Sequence, residues 1–165
     1  MQAITVRDRN AGLAGMSLTD MPYPHAAEND VIVRVHAAGF TPGELDWPAT
    51  WTDRAGRDRT PSVPGHELSG VVVELGFGTT GLRVGQRVFG LADWTRHGSL
   101  AEYAVTCAEY GESELCGIIA ASTALGANER SASHPFARRL RRFNGVSRRG
   151  PLAVGPVRTI RLLDI

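Results

Sequence analysis

Pro64-Gly65-His66-Glu67-Leu68-Ser69-Gly70-Val71-Val72-Val73-Glu74-Leu75-Gly76 joins a tight turn, an ionisable pair and a β-branched run, and the chain before Thr106 makes sense around it. Pro64 fixes its own φ and Gly65 can take a positive φ, so a sharp turn is predicted just before His66. The Val71-Val72-Val73 run predicts a strand, because β-branched side chains fit a pleated, half-buried surface better than a helix. Gly70, lacking a side chain, allows another backbone to come close at the start of that strand.

The strand runs into Gly76-Phe77-Gly78-Thr79-Thr80-Gly81, a literal G-x-G-x-x-G. A dinucleotide site needs a helix to begin there, so that its amides and dipole meet the pyrophosphate. The next residues are Leu82-Arg83-Val84-Gly85-Gln86-Arg87-Val88-Phe89-Gly90, whose apolar side chains alternate and which glycines interrupt. That is the pattern of a strand, so these glycines are turn residues.

Working outward, Ala3-Ile4-Thr5-Val6 and Met16-Ser17-Leu18-Thr19-Asp20 predict two short strands, the second stopped by Pro22 and Pro24. Asp30 to Phe40 is the clearest strand, with Val31, Val33 and Val35 on one face and Ile32, Arg34 and His36 on the other. Thr41 to Ser62 loses all periodicity and is punctuated by Pro42, Gly43, Pro48, Gly56 and Pro61. A long irregular segment that keeps Trp47 and Trp51 reads as functional, the two indoles serving either as substrate walls or as anchors for the loop. Gly98 to Val105 alternates again and predicts a last strand. Short strands between glycine and proline turns indicate a mainly β fold, a small barrel or sandwich.

The 165 residues carry a formal net charge of +1 and 21% charged side chains, a balance that names no partner. No apolar run is long enough for a membrane helix, and the N-terminus lacks a signal peptide's core, so a cytoplasmic protein is expected. Two cysteines, Cys107 and Cys116, are too few for a disulfide scaffold. All 18 basic residues are Arg. They divide unevenly, nine against twelve acids up to Thr106 and nine against five afterwards, so the charge changes from −3 to +4.

Read in order, the residues resemble the N-terminal, GroES-like catalytic domain of the medium-chain dehydrogenase/reductase superfamily, in its zinc-type alcohol-dehydrogenase-like and quinone-oxidoreductase branches. The resemblance covers residues 1–106 and rests on four pieces. They are Val31 to Phe40, Pro64 to Gly70, Val84-Gly85-Gln86-Arg87-Val88-Phe89-Gly90, and Gly98-Ser99-Leu100-Ala101-Glu102-Tyr103. Thr79 departs from the pattern, which has a smaller or aliphatic residue there. The resemblance implies a GroES-like small β-barrel and an NADP-dependent oxidoreductase passing hydride from NADPH to a carbonyl, quinone or activated alkene. Thr41, His66 and Glu67 are its implied catalytic positions, with Trp47 and Trp51 at the substrate pocket and a small molecule as substrate.

Zinc is not expected. Thr41 stands where zinc-dependent members have a cysteine, and a hydroxyl substitutes poorly for a thiolate. His66 and Glu67 are strand neighbours that point to opposite sides. His66 then has two readings: a donor that protonates the reduced product, or a turn histidine bonded to backbone.

Residues 107–165 lose the family pattern and show no βαβ unit for a nucleotide. They read as an atypical, irregular tail, translated out of frame or disordered, which makes the chain a truncated oxidoreductase with little activity alone; sequencing the coding DNA in all frames tests this. The alternatives are a non-catalytic GroES-like binding module, or a patch for nucleic acid or an acidic partner around Arg138-Arg139-Leu140-Arg141-Arg142; nucleic acid is not the expected partner, and filter binding at low and high salt discriminates, because phosphate contacts weaken steeply with salt.

Overall fold

The computed structural model describes residues 1–108, 117–120 and 158–160. Their regular structure is mainly β. The strands are β1 (Gln2–Thr5), β2 (Ser17–Asp20), β3 (Asp30–Phe40), β4 (Glu67–Leu75), β5 (Arg87–Leu91), β6 (Tyr103–Cys107), β7 (Gly117–Ala120) and β8 (Arg158–Ile160). One helical turn, α1 (Pro48–Trp51), and two 3-10 segments, Arg9–Gly15 and Pro42–Asp46, lie between them. β1 and β2 form a hairpin ladder, and the larger sheet runs β6-β3-β4-β5-β7 with β8 also on β3; every pairing is antiparallel.

β3 is central because its residues can be buried on both faces. Val31, Ile32 and Val33 are fully buried, and Arg34 and His36 break the pattern by facing solvent. Two register shifts against β4, between Ile32 and Val33 and between Val35 and Ala37, bend the strand. The core gathers Val31, Val33, Phe40, Val63, Leu68, Val72, Val88 and Leu100. Each such side chain contributes about 1.5–3 kcal/mol on burial.

The organising stretch behaves as its residues dictate. Gly65 has φ 90° and turns the chain into β4. A Cβ at Gly70 would lie 2.0 Å from the Arg34 carbonyl oxygen, so only glycine lets β3 and β4 come this close. Gly78 and Gly81 have φ 82° and 74° and sit in turns leading to β5, with no helix after them.

Two strand expectations are displaced. The Leu82 pattern becomes a strand only from Arg87, because Gly85 at φ 86° closes a turn in which its N–H donates to Val72 O at 2.8 Å. The last strand begins at Tyr103, since Gly98 to Leu100 instead hydrogen-bonds to the turn carrying His66. Thr79 uses its hydroxyl, donating to the Asp30 carbonyl oxygen at 2.9 Å. Beyond Thr106, Gly117–Ala120 pairs with β5 and Arg158–Ile160 with β3. The rest of the expected tail, the Arg138 to Arg142 cluster included, lies outside the described residues.

Candidate functional site

β3 ends at Phe40, and the next residue, Thr41, caps the 3-10 segment that Pro42 opens with its preset φ. Thr41 donates its backbone N–H to Glu44 Oε1 at 3.0 Å and its hydroxyl to the same oxygen at 3.4 Å. Gly65 donates its N–H to the other carboxylate oxygen at 3.0 Å. Glu44, only 5% exposed, thereby ties the end of β3 to the turn before β4. His66 is the next residue of that turn, and its Nε2 lies 3.7 Å from Glu44 Oε2.

His66 is 4% exposed, and neither ring nitrogen has a hydrogen-bond partner. The reading as a backbone-bonded turn histidine therefore does not hold, although its carbonyl does accept from Ala92 N–H at 2.7 Å. Its ring belongs to a triangular aromatic cluster. Trp47 lies 5.6 Å away at 18°, Trp94 5.5 Å away at 39°, and the two indoles stack at 4.8 Å. The Trp94 indole N–H is also buried without a partner.

Electrostatics keep the imidazole neutral. Burial, reinforced by the Arg59 guanidinium and opposed by Asp93, lowers the His66 pKa to about 4. Arg59 is fixed there by donating to the carbonyls of Ala49, Trp94 and Arg96. Burial raises the Glu44 pKa and Glu67 adds to the effect, while the donors from Thr41 and Gly65 pull it back. With its pKa lowered, His66 is a weaker base than a free imidazole; at neutral pH it is neutral, offers a ring lone pair as an acceptor and carries no imidazolium proton to give.

The structure brings Thr41, His66 and Trp47 together but not Glu67 or Trp51. Glu67 is exposed, and its side chain fills the space over its β3 register partner Gly39, where a Cβ would lie 2.9 Å from Glu67 Cβ. Trp51 corrects an expectation. It is 8% exposed and donates its indole N–H to the Leu45 carbonyl oxygen at 2.8 Å, so of the two roles expected for it the structure shows that of a loop anchor. Sequence reasoning misses Glu44 and Trp94. The T-x-x-E spacing of Thr41 and Glu44 is a capping-box signature that could have found the first. Trp94 lies in an aperiodic loop that gives no signal.

A cavity of about 880 Å³, lined by none of the three rings of this cluster, is bounded among others by Asp30, Arg54, Arg57, Asp93 and Arg96. Its charges brace loops: Arg96 forks onto Asp30 at 2.7 and 2.8 Å, and Arg54 reaches Asp93 at 2.8 Å. Burial opposes ionisation of Asp93, but hydrogen bonds from Thr95 and the Arg54 and Arg96 charges outweigh it and lower its pKa. Among the described residues no group of three or more His, Cys, Asp or Glu side chains is arranged to hold a metal ion. No helix among them is long and apolar enough to cross a membrane.

Comparison with known proteins gives the same outline. Residues 27–136 match the family described as Alcohol dehydrogenase GroES-like domain. An L-threonine 3-dehydrogenase of Bacillus velezensis is 36% identical over 91 residues, 53% of this chain and 24% of that protein. An alcohol dehydrogenase superfamily protein of Novosphingobium aromaticivorans superposes with a TM-score of 0.54 at 27% identity, over 66% of this chain and 32% of that one. A quinone oxidoreductase of Coxiella burnetii shares the fold, with a TM-score of 0.58 at 24% identity over 74% of this chain and 37% of that one. The chain thus spans about a quarter of the curated relative and about a third of the solved ones.

Proposed function

Because the chain belongs to the alcohol dehydrogenase GroES-like domain family, we propose that it is the substrate-side part of an NADP-dependent oxidoreductase. The reaction passes hydride between the nicotinamide and a carbonyl, quinone, activated alkene or the corresponding alcohol. The observation that carries this reading is the buried, neutral His66 held beside Glu44 and Thr41 and walled by Trp47 and Trp94.

The described residues do not fit the cofactor's pyrophosphate, since the only glycine-rich turn of the right pattern among them leads into β5 and not into a helix. A nucleotide-binding portion outside them would hold NADPH, which supplies the hydride chemistry. What these residues supply is proton handling and a water-poor wall. His66 takes the proton of a substrate hydroxyl when an alcohol is oxidised and, when a carbonyl is reduced, passes on a proton it first receives from solvent; the indoles give a planar apolar substrate a surface to pack on. Zinc plays no part in this reading. The Thr41 hydroxyl is engaged by Glu44, no thiolate among the described residues stands beside it, and Glu67 is on the exposed side of the strand.

Grafting residues 1–108 in place of the matching segment of a full-length quinone oxidoreductase tests the proposal. Oxidation of NADPH by the folded chimaera, with a quinone, enone or aldehyde present, supports it. A folded chimaera that binds NADPH and turns over none of them supports a non-catalytic binding module instead.

A further inference from the structure

Of the four arginines in residues 52–60 and 93–97, three have a carboxylate of their own. Arg54 reaches Asp93 at 2.8 Å, Arg57 reaches Asp53 at 2.8 Å and Arg96 reaches Asp30 at 2.7 Å. Arg59 is held instead by the carbonyls of Ala49, Trp94 and Arg96, with no carboxylate of the described residues at ion-pair distance. Asp93 and Asp53 act on it only from farther off. The three bonds use both Nη1 protons and one on Nη2. The Nε–H and the second Nη2–H remain, and that edge is the fork that fits a carboxylate. Carbonyl dipoles fix the guanidinium but leave its net charge standing. After burial itself, that charge is what lowers the pKa of both His66 and His97.

Arg59 lines a second cavity, of about 340 Å³, within the range of about 300–1,000 Å³ that small ligands occupy. Arg96 and His97 share its wall, and no Asp or Glu among the described residues does. The 880 Å³ cavity is different, since Glu28, Asp30, Asp53 and Asp93 there offset the arginines. Apolar groups form much of the smaller wall, among them Met21, Val63 and Ala104, with Tyr23 and Tyr103 meeting edge to face at 5.0 Å. His97 accepts the Val63 N–H on Nδ1 at 3.3 Å, so its neutral ring carries the proton on Nε2 as a donor.

We propose that this cavity binds a small carboxylate with an aromatic body, the carboxylate meeting Arg59 and His97 and the body packing on Tyr23 and Tyr103. The site is independent of the hydride chemistry proposed above. An acid-free, largely apolar wall strengthens the pairing of guanidinium with carboxylate. A metal cation is repelled by the same groups, and a neutral molecule leaves the Arg59 charge unanswered.

The test is an NMR titration of the full chain with sodium benzoate at neutral pH, with benzamide and acetate as comparisons. Benzoate should give saturable shifts of the Tyr23, Tyr103 and His97 ring resonances. Benzamide, which lacks the charge, and acetate, which lacks the apolar body, should each bind roughly tenfold more weakly or worse. Arg59→Gln should weaken benzoate by about tenfold or more. Because Arg59 also ties three carbonyls, Tyr23→Ala is the second variant; that side chain is exposed, so the fold survives its loss, and benzoate should weaken by about fivefold. The proposal is overturned if benzoate gives no saturable shift, if its shifts are confined to residues of the larger cavity, or if benzamide binds equally well. An unchanged affinity in Tyr23→Ala, or in a folded Arg59→Gln, also overturns it.

Discussion

Replacing Gly98 with Ala places a methyl group against the turn that carries His66. The new Cβ would lie 2.1 Å from the Gly65 carbonyl oxygen and 2.5 Å from that of Pro64. Real contacts of this kind stay beyond 3.0 Å, so one backbone must retreat by nearly an ångström. Three hydrogen bonds cross there: Gly98 N–H to Val63 O at 2.7 Å, Ser99 N–H to Gly65 O at 2.8 Å and Leu100 N–H to Pro64 O at 3.1 Å. Losing two of them costs about 2 kcal/mol at about 1 kcal/mol each. Overpacking adds about 1–3 kcal/mol. Against this, a stiffer unfolded chain returns only about 0.4–1 kcal/mol, so the substitution destabilises by about 3 kcal/mol. Gly43→Ala is the control, because nothing lies within 4 Å of its Cβ; it should be neutral or slightly stabilising. Urea denaturation measures both, and the His66 ring resonances should shift in Gly98→Ala alone. An unchanged or raised midpoint with unmoved His66 signals would refute the packing argument.

Other outcomes are expected from the same geometry. His66 titrates at about 4 when folded and at an ordinary 6.5 when unfolded. The unfolded chain therefore binds more protons between those values, and stability should fall by about 3 kcal/mol as pH drops from 6.5 to 4. Glu44, whose pKa is raised, works in the opposite sense and softens that loss. His66→Gln should flatten the profile when urea midpoints are compared across pH. Trp51→Phe removes the donor to Leu45 O and should cost about 1–3 kcal/mol by thermal or urea unfolding. The Trp47–Trp94 stack at 4.8 Å should produce a tryptophan exciton couplet in circular dichroism, abolished equally by Trp47→Phe and Trp94→Phe.

How much is legible in the sequence depends on whether the cause is local. The β3 and β4 strands are readable because β-branched runs and alternation act over a few residues, and the Gly65 turn because one φ decides it. The G-x-G-x-x-G stretch is separable from a nucleotide site by the strand-like residues Leu82 to Gly90 after it. The start of β5 is not legible, since Leu82 and Val84 alternate properly but lie in a turn set by hydrogen bonds to Val72 and within Arg83 to Gln86. Trp47 and Trp51 look alike in sequence, and only the position of Leu45 O relative to the second indole marks Trp51 as the loop's anchor. Glu44 looks like a solvated acid; its burial comes from Gly65, 21 residues away in sequence.

The central claim is that His66 handles the substrate's proton, and the most direct measurement is kcat of the quinone-oxidoreductase chimaera carrying His66→Gln. The account predicts a fall of about 10²-fold or more in kcat, the range that loss of a positioned acid or base produces, with NADPH affinity unchanged. A folded His66→Gln chimaera that retains its kcat would contradict it.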